Sequence, residues 1–187
     1  EVRESLQSAT MRARPEDRSA GFHALIACTR RSRSVDEVPA TLAFAAERLR
    51  NEQDPVRLAA CASISAIPPR LITEQHLRSL SGLMSSVVDA RDTSPSTLQI
   101  LNRFVLRILE VNAAEPQGNA FAFALTALDQ LAGPSGMISF GQLDQLCRGA
   151  ERALLDALLP RLQGAADHDR FELTLALATA LRHRAWD

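Results

Sequence analysis

The stretch RNEQDPVRLAACASISAIPPR, Arg50 to Arg70, decides the fold. Arg50 to Asp54 is polar and reads as a turn. Pro55 follows, and proline suits the first turn of a helix, where its missing N–H has no intrahelical partner to lose. Ala59, Ala60 and Cys61 are small, which lets a neighbouring helix come close. Pro68 and Pro69 stop the helix and redirect the chain. A unit of this kind cannot bury its apolar stripe alone and needs neighbours on both sides.

The same punctuation recurs. Pro15, Pro55 and Pro95 are forty residues apart, and Pro134 follows 39 later. The helices after the first three prolines lay onto one another when RSAGFHALIACTR is started at Arg18, RLAACASISAIPP at Arg57 and TLQILNRFVLRIL at Thr97. Gly21, Ala60 and Ile100 share a column, then Phe22, Cys61 and Leu101, then Leu25, Ile64 and Phe104, then Ile26, Ser65 and Val105. This is the apolar stripe of an amphipathic helix. RFELTLALATALR, from Arg170, fits the template through Leu173, Leu177 and Leu181, with Asp167 or Asp169 as its N-cap. Partner helices with their own stripes are expected over 38–49, 74–90, 119–131 and 151–162. Ala, Leu, Arg, Glu and Gln dominate and strict alternation is not sustained, which favours helix over strand. The chain therefore reads as about ten helices in pairs of about forty residues each.

PATLAFAAERLRNEQDPVRLAACASISAI, Pro39 to Ile67, resembles a HEAT repeat. It has an early proline in the first helix, a polar turn, and Pro-Val-Arg-x-Ala-Ala opening the second. The resemblance implies an all-α, right-handed superhelix (a solenoid) of about five HEAT-like helix pairs, read here as a single repeat domain over 1–187. It implies a concave side lined by the second helices. It also implies a ladder of arginines reaching into the turns of neighbouring units, at Arg57 and more loosely at Arg18 and Arg170. Asn51 stands where the family has an aspartate, and Thr97 replaces the arginine in the third unit. The fourth unit holds Gly133, Gly136, Gly141 and Gly149, half of the eight glycines, and is expected to carry a broken or short helix.

Composition excludes several chemistries. The formal net charge is -1, so no strong overall field draws the chain to nucleic acid or anionic lipid. All 21 basic residues are arginine, so there is no Schiff-base, P-loop or general-base lysine. Cys28, Cys61 and Cys147 are odd in number and widely spaced, and they read as small buried hydrophobes in a reducing, cytoplasmic compartment. No apolar run reaches the roughly 20 residues of a membrane span, and no signal segment opens the chain. Because it starts at Glu1 rather than Met, a piece of a longer protein is expected.

No catalytic or metal constellation survives. His23, His76, His168 and His183 show no metal-ligand spacing. There is no His-Glu dipeptide, of the kind that binds iron in the HEAT-repeat hydroxylase of deoxyhypusine. Asp167–Asp169 reads as a helix cap. No Gly-x-Ser-x-Gly elbow exists, and Ser135 in GPSG is a turn serine. Arginines cluster at Thr29–Arg33, near Arg12, Arg14 and Arg18, and Arg103 and Arg107 lie one turn apart. Glu16, Asp17, Glu47 and Glu52 offset them, so a continuous basic stripe for nucleic acid is disfavoured. Trp186 reads as a cover for the end of the last pair.

The expectation is a non-catalytic scaffold that binds a protein partner and takes no cofactor, metal, membrane or identified small-molecule substrate. A DNA-binding module like the HEAT-like alkylpurine glycosylases and a structural spacer are the rivals. The partner-binding candidates are positions expected to be exposed on second helices: His23, Asn102, Arg103, Arg107 and Glu110.

Overall fold

The computed structural model describes residues 1–32, 36–132, 140, 143, 146–168 and 171–182. Among them the chain is all-helical, with no strand. The helices are α1 (Val2–Ala9), α2 (Pro15–Ser32), α3 (Glu37–Leu49), α4 (Asp54–Ser65), α5 (Glu74–Val88), α6 (Pro95–Asn112), α7 (Asn119–Ala132), α8 (Glu151–Ala166) and α9 (Glu172–Leu181), with a 3-10 turn at Pro69–Leu71. Pro15 and Pro95 are the first residues of α2 and α6, and Pro55 lies in the first turn of α4. Pro134, most of the glycine-rich stretch, Arg170 and Trp186 lie outside the described residues.

Two compact units make up the chain, Glu1–Leu101 and Asn102–Asp187, and the division falls inside α6. In the first unit the helices form two layers. The second helices α2 and α4 lie side by side, and so do the first helices α3 and α5; α1 packs on α2. The repeat columns supply the core. Phe22, Leu25 and Ile26 of α2 and Ala60, Cys61 and Ile64 of α4 are buried, facing Leu42, Ala45 and Leu49 of α3 and Leu80, Leu83 and Val87 of α5. Each large aliphatic or aromatic side chain so buried is worth roughly 2 kcal/mol against solvent exposure.

Two local devices fix the edges of this unit. At the start of α5 the Thr73 backbone N–H donates to His76 Nδ1 at 2.8 Å, so the 2 % exposed imidazole acts as a capping group. In α2, a Cβ on Gly21 would stand 2.8 Å from the backbone of Ala9 and Thr10, so only glycine admits α1 this closely.

The second unit buries Phe104, Ile108, Leu109, Phe121, Leu128, Phe140, Leu154, Leu158, Leu177 and Leu181. Arg161 ties α8 to α7, its Nε and Nη2 both donating to Asp129 Oδ2 at 3.1 Å. Gly149 takes φ +86°, and its N–H is held by Glu151 Oε2 at 2.7 Å at the entrance to α8.

The cysteines depart in part from expectation. Cys61 is fully buried, but Cys28 and Cys147 are exposed. Cys28 lies just off the stripe that Leu25, Ile26 and Thr29 bury, and Cys147 sits outside any helix, just after the buried Leu146.

Candidate functional site

Three turns join first helices to second helices in the N-terminal unit: Thr10–Arg14, Arg50–Gln53 and Asp89–Ser94. Arginines stitch them into one edge. Arg18 donates from Nη1 to the carbonyls of Arg12 and Ala13, at 3.1 and 2.8 Å, in the first turn. Its Nε–H points to both carboxylate oxygens of Glu52, at 3.0 and 3.1 Å, in the second. Arg57 repeats the arrangement one pair later: it donates from Nη1 to the Glu52 carbonyl and from Nη2 to Asp92 in the third turn. The first bridge spans 34 residues and the second 35. The arginine-to-acid link therefore recurs with the proline period. The acceptor is Glu52, one residue beyond Asn51, where the expected aspartate would stand.

At the third unit the direction reverses. Thr97 occupies the arginine's column, and its hydroxyl donates back to Asp54 Oδ1 at 2.8 Å. The Ser94 N–H donates to the same oxygen at 2.9 Å. Asp54 thus caps the N-terminus of α6 from the start of α4. Burial pushes the Asp54 carboxyl up, but the hydrogen bonds from Ser94 and Thr97 outweigh it and hold it below its ordinary value of 3.8. The Arg57 hydrogen bond holds Asp92 below the same value. Both carboxylates favour the folded state when ionised. Their contribution is therefore complete above the unfolded value and is lost as pH falls through the lower folded values. Urea midpoints should stay level for these two groups between about pH 7 and 5 and drop below about pH 4. The drop should be shallower for Asp54→Asn; an identical acid profile for that variant would remove Asp54 from the account.

Between the α3–α4 turn and the end of α5 lies a polar groove of about 430 Å³, lined by Arg50, Asn51, Ser85, Ser86, Asp89 and Arg91. Arg50, Asn51, Asp89 and Arg91 are exposed.

The positions proposed from the sequence fall in both units. His23 is exposed on α2, its Nδ1 3.1 Å from Ser63 Oγ on α4. The Ser63 hydroxyl proton goes to the Ala59 carbonyl at 3.0 Å, so His23 Nδ1–H is the donor in this pair. In the second unit, Arg103 is exposed and Asn102 and Arg107 are half-buried. Glu110 is a correction: it is only 6 % exposed. The reason is the width of the buried arc on α6. Phe104, Val105, Leu106, Ile108, Leu109 and Ala113 are all buried, so the arc covers most of the circumference and takes in Glu110 at its rim. The solvent-facing strip narrows to the exposed Arg103 and Val111 with the half-buried Arg107 between them. Arg57 and Arg18 stand in the ladder just described, and Arg170 lies outside the described residues.

Burial pushes the Cys61 thiol up to about 12. Among the described residues no group of three His, Cys, Asp or Glu is placed to hold a metal ion, and no helix is long and apolar enough to cross a membrane. The sequence reading missed the acidic partners Glu52 and Asp92 and the groove. The signal for the first was available, since both acids lie in polar turns forty residues apart. Searches against protein-family models, curated proteins and solved structures find no match to this chain.

Proposed function

We propose that the chain is a non-catalytic protein-interaction module, built as a HEAT-like right-handed solenoid of about five helix pairs. One observation carries the reading. The Arg18–Glu52 and Arg57–Asp92 bridges are the same contact moved along by one repeat, each tying a second helix to the turn of the next pair. The layering of α2 with α4 and α3 with α5 supports it, because stacked pairs place like helices together. A solenoid offers a long surface, and the described residues hold no catalytic set. Three free thiols suit a reducing, cytoplasmic setting. The candidate binding position in the first unit is His23 on α2, and those in the second unit are Arg103 and Arg107 on α6.

Affinity capture from the source lysate, with and without nuclease, tests this. A protein partner that survives nuclease and is lost with Arg103→Glu/Arg107→Glu is the expected result, with the thermal melt unchanged. Recovery lost on nuclease treatment points to nucleic acid instead. An empty capture points to a spacer. Undiminished capture by the double variant removes the α6 strip from the binding face.

A further inference from the structure

Apart from the exposed Asp89, the acidic side chains at the stitched turns are paired inside the chain, while four arginines of those turns are not. Glu52 is 8 % exposed and held by Arg18. Asp92 is held by Arg57. Asp54, at the start of α4, accepts from Ser94 and Thr97. Arg12, Arg14, Arg50 and Arg91, by contrast, are all exposed. None of their side chains has an ion-pair or hydrogen-bonded partner among the described residues. At the groove Arg50 and Arg91 stand against the one acid Asp89, which leaves a single net positive charge there, although the chain as a whole carries a formal charge of -1.

The groove concentrates this charge. Arg50 and Arg91 stand on its walls with Asn51, Ser85 and Ser86, which add amide and hydroxyl donors. Arginine's planar fork matches a carboxylate, and the chain itself uses arginine–carboxylate pairs to join its turns. Asp89 also lines the groove, and Glu16 and Asp17 lie beside Arg14. These acids oppose a continuous polyanion, while two arginines against one aspartate at the groove suit a single carboxylate. We infer that the groove at Arg50 and Arg91 is a docking point for an acidic side chain in an extended segment of a partner protein. The inference rests on the protein-interaction reading and names the partner's chemistry, at residues other than those of the α6 strip.

The test uses a short fluorescent peptide of alternating Glu and Gly, read by anisotropy at low salt and by amide chemical shifts of the labelled protein. A Gln–Gly peptide and a short duplex DNA serve as comparisons. The expected shifts cluster at Asn51, Ser85, Ser86 and Ala90. Arg50→Glu/Arg91→Glu should weaken peptide binding about tenfold, while Arg31→Glu, an exposed arginine away from the groove, changes it less than about twofold. Should the charge reversal disturb folding, Arg50→Gln/Arg91→Gln gives the same reading with a smaller loss. Absent binding, shifts elsewhere, equal loss with Arg31→Glu, or equal affinity for the Gln peptide each overturn the inference. So does tighter binding of duplex DNA at the same amides, which would make the edge a nucleic-acid surface. If capture yields a protein partner while the Glu peptide fails, the groove assignment falls and the interaction reading stands.

Discussion

Arg57→Ala is expected to cost about 3–5 kcal/mol, the loss typical of cutting a large, fully buried side chain down to alanine. Arg57 heads the fully buried side chains, with 1 % exposure. Three contributions add. Alanine leaves a cavity where the long side chain packs. The Glu52 carbonyl loses its donor, and the third turn loses its tie to the second. Arg57→Met separates these effects, because it keeps most of the volume and removes the charge. Methionine should recover about half of the loss if packing and hydrogen bonding contribute comparably. Urea denaturation gives the magnitude, and hydrogen exchange gives the place, with protection falling first around the α3–α4 and α5–α6 turns. A cost below about 1 kcal/mol for the alanine variant would show that neither the packing nor the hydrogen bonds of Arg57 hold the turns together.

The partners of Arg57 are expected to matter unequally. Asp92 is 61 % exposed on its side chain, and in Asp92→Asn the amide oxygen still accepts from Arg57 while no buried volume is lost, so this variant should cost less than Arg57→Ala. Glu52 is 7 % exposed on its side chain and serves Arg18 through its carboxylate and Arg57 through its carbonyl. It is the joint of the network, and a double variant of Arg18 and Arg57 should show strong non-additivity.

The helices were legible because proline punctuation and the apolar stripe are local signals. The helices over 37–49, 74–88, 119–132 and 151–166 match the expected partners to within a few residues, although α8 runs on through Pro160. The columns through Phe22, Leu25 and Ile64 fall in the core, because a stripe repeated at a fixed period meets the same neighbour each time. The shortfalls come from tertiary cover, which a stripe does not record. Glu110 reads as polar and therefore exposed, yet the buried arc of α6 reaches it. The acid that receives Arg18 is Glu52 rather than Asn51, because a long guanidinium arm accommodates a shift of one residue in the turn. The groove joins Arg50 and Asn51 to residues 85–91, all without apolar periodicity, so nothing along the sequence brings them together.

Gly21 is the clearest case of a residue whose role needed the structure, and its substitution should act locally. Its column runs Gly21, Ala60, Ile100, so side chains are tolerated at the equivalent places in α4 and α6. At Gly21 a Cβ would meet the backbone of Ala9 and Thr10 at 2.8 Å, and backbone does not yield as a side-chain tip does. The first turn is also fixed from the other side by Arg18, which holds the Arg12 and Ala13 carbonyls, so α1 cannot retreat without straining those bonds. Gly21→Val should therefore destabilise by about 2–3 kcal/mol, the overpacking cost exceeding the few tenths that valine gains over glycine in helix propensity. Ala60→Gly should cost about 1 kcal/mol through propensity and the lost methyl, so the same column penalises enlargement at one place and shrinkage at the other. Hydrogen exchange decides the mechanism. Protection should be lost in α1 and in the first turns of α2 while α3 to α5 keep theirs. A valine variant that melts like the wild type with α1 still protected would mean that α1 finds another seat on α2, and that the close approach at Gly21 is not what holds it.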